Sequence, residues 1–205
     1  ATEANFRQSD LSRADFSDAY LVQARLFGAD LSNSDFTGAN LSGAFMTGGL
    51  TLDNACLVGV NLNGADISNG SLRNTDLTVA QMSRVNLSQA DFSGARLKGA
   101  SLKSCTLIEA NMVGAKMTEV VLDSSNLKNA RLDNSDLSKS SLKGCNLEGS
   151  SLQMATLIES NLSNVNFQGA DLTLADMTGS DMTGCLLLGA KTSWTDFTGT
   201  YLERA

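Results

Sequence analysis

Large apolar residues recur every five positions along almost the whole chain, and few backbone conformations accommodate that period. With the apolar position called i, it falls at Phe6, Leu11, Phe16, Leu21, Leu26, Leu31, Phe36, Leu41 and Met46. One residue is gained within Thr47-Gly48-Gly49-Leu50-Thr51, and the period resumes at Leu52 and runs to Leu202. About forty such slots hold Leu, Phe, Met or Ile, with Thr192 the exception. The stretch Ala170–Gly184, ADLTL ADMTG SDMTG, shows the unit three times without a gap.

The neighbouring slots are filtered as strictly. Position i−2 is small, as at Ala14, Ala65, Ala110, Ser125 and Ala170, and i−1 is mostly polar, as at Asp15, Asn61, Asn126 and Asp176. Of the 18 glycines, all but Gly49 and Gly70 occupy i+2. On a helix advancing ~100° per residue, a five-residue period would spiral round every face. On a straight strand, an odd repeat would place successive i residues on opposite faces. The i residues share one interior only if the chain turns a corner in every unit. Strand alternation then points i and i−2 inward and i−1 outward, and glycine at i+2 marks the corner. If each corner turns by about 90°, coils of about twenty residues stack at roughly 4.8 Å. About ten coils then give a rod on the order of 45–50 Å long. Stacking supplies the backbone hydrogen bonds that one coil cannot make for itself.

This pattern closely resembles the pentapeptide-repeat family, whose motif is A(D/N)LXX. Ala39-Asn40-Leu41-Ser42-Gly43 and Ala170-Asp171-Leu172-Thr173-Leu174 match it directly, and the resemblance spans residues 4–202. It implies an all-β chain, a right-handed quadrilateral parallel β-helix with i and i−2 inside; the four-sided closure is carried over from the family. The slip at 47–51 reads as a bulge at a corner, so residues 1–205 form a single domain. Leu50 and Gly70, both at i−2 and twenty residues apart, would lie in adjacent coils and offset each other's volume.

Composition narrows function. The chain has no histidine, the side chain best suited to general-base work near neutral pH and the commonest metal ligand. Its 15 basic and 22 acidic residues give a net charge of −7, which disfavours direct binding to phosphate backbones. No apolar run approaches the ~20 residues of a membrane-spanning helix. No nucleophile elbow, phosphate loop or metal-ligand spacing is present, so the expectation is no catalysis and no cofactor. Thr178 and Thr198 would stack, but the column is too short for an ice-binding face.

Two features invite a functional reading. Cys105, Cys145 and Cys185 occupy i−2 forty residues apart. They read as small apolar fillers of one interior column, roughly 9–10 Å apart and too distant for a disulfide; Cys56, at i−1, should face outward. The aspartates at i−1 form columns, and some family members inhibit DNA gyrase by resembling acidic double-stranded DNA. The column Asp15, Asp35, Cys56, Asp76, Arg96, Lys116, Asp136, Thr156, Asp176, Asp196 is broken by two cations, and Arg25 and Arg131 break others. The gyrase-inhibiting members also carry a C-terminal dimerisation helix, whereas this chain stays in repeat to Leu202. The aspartates therefore read first as solubilising positions that order nearby backbone.

Apolar residues at outward slots are the stronger anomaly. Met154, Leu174 and Trp194 all occupy i+2 at spacings of twenty and should stack along one edge; Leu186, Leu188 and Tyr201 follow nearby. These six are the candidate partner-binding residues. Tyr20, Val22, Phe27 and Phe45 fall on outward slots near the other end. The expectation is a rigid structural or protein-interaction module, part of a larger protein or assembly. Its ends would be covered by further segments or other chains, because a solenoid exposes open edges there. The resemblance is compatible with the thylakoid lumen or the bacterial cytoplasm.

Overall fold

A computed structural model describes residues 2–205. Each five-residue unit makes one side of a coil, and parallel β-bridges join units twenty residues apart: Asn5 to Arg25, Cys56 to Asp76, Asp136 to Thr156, Asp181 to Tyr201. Across the slip the spacing is twenty-one, as in Asp30 to Thr51 and Phe45 to Asp66, and it then returns to twenty. The extra residue is thus absorbed locally, by Gly48 and Gly49, both left-handed at φ 77° and 80°. The stack is a parallel β-helix whose sides are so short that each contributes an isolated bridge in place of an extended strand. No helix is long and apolar enough to cross a membrane among the described residues.

The hydrogen bonds explain why five residues suffice for a unit. In Leu57–Gly59 the i amide donates to Asp76 O and the i+2 amide to Thr78 O, both in the next coil. Val60 N then closes the corner on Leu57 O, and Asn61 N donates back to Ala39 O in the preceding coil. Only the i+1 amide lacks a backbone partner, and where i−1 is Asp or Asn its side chain supplies one. The N–H groups of Ser12, Ser17, Ser32, Thr37 and Ser42 donate to Asp10, Asp15, Asp30, Asp35 and Asn40 at 2.8–3.0 Å. That is why Asp or Asn is favoured at i−1: a short carboxylate or amide reaches two residues on.

The corner residue is left-handed throughout. Glycine meets this at Gly59, Gly99 and Gly144, but many corners use other residues, including Asn54, Lys139, Glu159 and Val79. Glycine therefore marks only some of the corners that the five-residue period requires.

The interior is filled as the slots predict. Leu57, Leu97, Met117, Leu122 and Leu147 are fully buried at i, and Ala95, Ala110, Val120 and Ala170 at i−2. Polar i−2 residues are satisfied: Thr75 and Ser135 donate to the carbonyls of Leu72 and Leu132, three residues back, at 2.7 Å. Near the N-terminal end the core is aromatic, with Phe16 and Phe36 stacked at 4.8 Å and Phe6 edge-on to Phe16 at 6.0 Å. At the other end Phe197 and Leu187 are half-buried and Leu202 is 44% exposed.

Gly70 lies where its sequence spacing predicts and makes a further contact. It does lie beside Leu50, since Ser71 N donates to Leu50 O. A Cβ at Gly70 would, however, meet Ile67 Cγ2 at 2.9 Å and Ile67 O at 3.0 Å. The glycine therefore accommodates the β-branch of Ile67, the one isoleucine at an i slot.

Candidate functional site

Six outward apolar residues can be placed on this lattice. Met154 N donates to Thr173 O and Leu174 N to Ser193 O, so Met154, Leu174 and Trp194 stack in successive coils along one corner. All three are left-handed, at φ 58°, 61° and 60°, and exposed, Trp194 to 86%. The same corner carries Asn54, Asn74, Gly94, Gly114 and Asn134 in earlier coils. Its character changes from polar to apolar along the rod.

Leu186 and Leu188 do not join that edge. Leu186 bridges Asn166, which places it and Leu188 on the side whose interior carries Cys105, Cys145 and Cys185. Tyr201 bridges Asp181, on a third side. All three are exposed, but the six candidates divide into one continuous corner and two separate positions.

The cysteine column is interior, and all four thiols are free. Cys105, Cys145 and Cys185 donate Sγ–H to the carbonyls of Met82, Leu122 and Leu162 at 2.8–3.0 Å. Ser125, in the same column, makes the equivalent bond to Leu102 O, so thiol and hydroxyl fill one role. Burial pushes the thiols up, to about 11 for Cys105 and Cys185 and about 12 for Cys145, which leaves them un-ionised and unreactive near neutral pH. Cys56 is partly exposed at an outward slot, with Sγ 3.2 Å from Thr37 Oγ1. No group of three or more Cys, Asp or Glu residues could hold a metal ion among the described residues.

The acidic columns are structural and partly neutralised. The Ser12 hydroxyl and amide hold Asp10 below the usual carboxylate range, and Ser17 and Thr198 do the same for Asp15 and Asp196. Asp53 serves the next coil: burial raises it, but Ser71 Oγ, the Arg73 guanidinium and Arg73 N together hold it below its ordinary value. Arg96 meets Asp76 at 2.8 Å and Lys191 meets Asp171 at 3.3 Å. Asp76 is thus paired where Arg96 interrupts its column.

Sequence reasoning missed one feature. Arg7, Arg25, Phe27, Phe45 and Thr47 line an open cleft of about 330 Å³ on the outer surface beside the slip. From sequence, Arg25 reads only as a break in an acidic column, and Phe27 and Phe45 as apolar residues on outward slots. Only the twenty-residue coil brings them together.

Comparison with known proteins places this architecture. The sequence matches the family described as pentapeptide repeats (8 copies) over residues 1–26, 14–49 and 49–78. It matches the pentapeptide repeat region over residues 80–161 and 115–197. No curated protein sequence matches. Among solved structures, a trypsin-treated form of QnrB1, a plasmid-mediated fluoroquinolone resistance protein, is similar with 20% identity and TM-score 0.71, over 98% of this chain and 91% of that one. HetL, a pentapeptide repeat protein involved in heterocyst differentiation regulation in the cyanobacterium Nostoc, is 28% identical over 98% of this chain and 90% of its own, at TM-score 0.36. A pentapeptide repeat protein of the Arabidopsis thaliana thylakoid lumen is 31% identical over 56% of this chain and 69% of its own, at TM-score 0.22. The five-residue unit, its corner geometry and the two family matches along nearly the whole sequence show that the chain belongs to the pentapeptide-repeat family, whose members form right-handed β-helices.

Proposed function

We propose that this chain is a non-catalytic, rigid protein-interaction module. Residues 1–205 form one four-sided domain of about ten coils, with the slip at 47–51 inside it. The family is generally one of structural or interaction proteins. The observation that carries the reading is the corner of Met154, Leu174 and Trp194. A left-handed backbone costs a side-chain-bearing residue about 1–2 kcal/mol where glycine is tolerated freely. Large apolar side chains there add exposed surface and gain no core contact. Three in successive coils are disadvantageous for the fold alone, so binding of an apolar protein surface explains them better. Leu186, Leu188 and Tyr201 extend the candidate surface to neighbouring sides.

A photo-crosslinking amino acid at position 174 should yield adducts with one partner protein, while the same group at the corner position 164 should not. Replacing Leu174 and Trp194 with Ser should abolish those adducts and leave the far-UV circular dichroism unchanged. Equal crosslinking from both positions, or adducts that survive the double replacement, would defeat the reading. The alternative, an acidic double-stranded-DNA mimic that binds gyrase, draws on the aspartate columns. Potent inhibition of gyrase supercoiling by the purified chain would put that alternative first.

A further inference from the structure

We propose that the cleft beside the slip is a binding site for an aromatic carboxylate. Its walls are the i−1 column, with Arg25 and Phe45, and the i+1 column, with Arg7, Phe27 and Thr47. In the neighbouring units the trough between these columns is crossed by an Asp or Asn side chain that accepts the i+1 amide, as Asp30 does for Ser32 and Asp35 for Thr37. Arg25 and Phe45 stand where that acceptor would be, and neither can supply one. The amides of Phe27 and Thr47 accordingly have no hydrogen-bond partner among the described residues. The cleft therefore holds two backbone amides without acceptors in successive coils, where the coils on either side place the side-chain oxygen of Asn5 and Asp66.

The charges and rings around it match an incoming carboxylate on a planar body. Arg7 lies over the Phe27 ring at 5.1 Å, and neither Arg7 nor Arg25 has a carboxylate partner among the described residues. Guanidinium groups recognise carboxylates in a forked geometry. Phe45, 57% exposed, and Phe27, 37% exposed, offer faces on which a flat ring can stack. Phe27 is held by the slip: a Cβ at Gly48 would lie 2.4–2.7 Å from its ring, so the ring rests where only glycine leaves room. The volume is at the small-ligand end of the range for binding pockets, which begins at about 300 Å³. Two guanidiniums on a chain of net charge −7 suit a singly charged anion over a polyanion.

The test is titration of the ¹⁵N-labelled chain with naphthalene-2-carboxylate, naphthalene-2-carboxamide, and the tripeptide Gly-Gly-Phe as free acid and as amide. The carboxylate should bind saturably, with the largest shifts at the amides of Phe27 and Thr47. The carboxamide should bind at least about tenfold more weakly, a difference of about 1.4 kcal/mol. Tighter binding of naphthoate identifies a small-molecule ligand, and tighter binding of the peptide acid identifies a chain terminus. Phe45→Asp restores the repeat's own acceptor, so it should keep the fold and lose binding about tenfold or more; Arg25→Gln should weaken binding similarly, and Lys139→Gln, several coils away, should leave it unchanged. Equal binding of acid and amide, or shifts centred on Trp194 or the ends of the core, would overturn the proposal, as would the absence of saturable binding by either acid.

Discussion

At the scale of single residues, the left-handed corner assigns a different cost to each side chain placed on it. Asn54 and Asn164 tolerate φ near 59° because their short amides adapt to that conformation. Val79 sits at φ 52° with a β-branched side chain, the least suitable type. Its exposed side chain offers little packing in return. Val79→Gly should therefore stabilise the protein by about 1 kcal/mol, read as a higher midpoint in urea unfolding. A lower midpoint would show that Val79 makes a contact worth more than its strain. The thiols separate just as clearly: a neutral thiol reagent should modify Cys56 in the folded protein and Cys105, Cys145 and Cys185 only after unfolding. The inward slots were legible because burial repeats every five residues in step with the apolar and small residues. Val79 was not, because the i+2 slot reads as glycine-rich and polar until its backbone conformation is known.

At the scale of the repeat unit, the aspartates hold a backbone amide that the ladder leaves over. Asp53 is the fullest case, accepting from Arg73 N at 3.1 Å and from the Arg73 guanidinium at 2.7 and 2.9 Å, as well as from Ser71. Asp53→Ala should cost about 1–3 kcal/mol at pH 7, the penalty for donors stripped of their acceptor. The folded-state pKa of Asp53 lies below its ordinary value. Its contribution is therefore fully present above the unfolded-state value, about 4, and lost as pH falls through the depressed one. The gap between wild type and Asp53→Ala should narrow in urea titrations as pH falls below about 4; a gap that stays constant into strong acid would contradict this assignment. The slip was legible as an insertion, since Gly48 and Gly49 interrupt the count. Its consequence was not, because the contact of Phe27 with Gly48 joins residues one coil apart. Gly48→Ala should displace that ring and destabilise the fold by about 1–2 kcal/mol, visible as a lower melting temperature together with altered Phe27 ring resonances.

For the whole molecule, stability is distributed along an axis. Each coil touches only its neighbours, so the energy is approximately a sum of coil terms and nearest-neighbour interfaces. Leu122 is fully buried in mid-rod, whereas Leu202 is 44% exposed at the end of the stack. Leu122→Ala should cost about 2–5 kcal/mol, because it leaves a cavity that flanking coils cannot fill. Leu202→Ala removes a side chain with little to lose and should cost less than about 1 kcal/mol. Amide hydrogen exchange should follow the same axis. The amides of Leu97–Leu147 donate to coils on both sides and should exchange most slowly, while those near Phe6 and Phe197 should exchange first. Leu122→Ala should lower protection in the coils beside it and much less at Phe16 or Met177. Uniform loss of protection along the chain would mean that the stack unfolds as one cooperative block. In that case the apolar corner at Leu174 could not be altered independently of the rest, and its binding role would have to be tested by blocking it with a ligand.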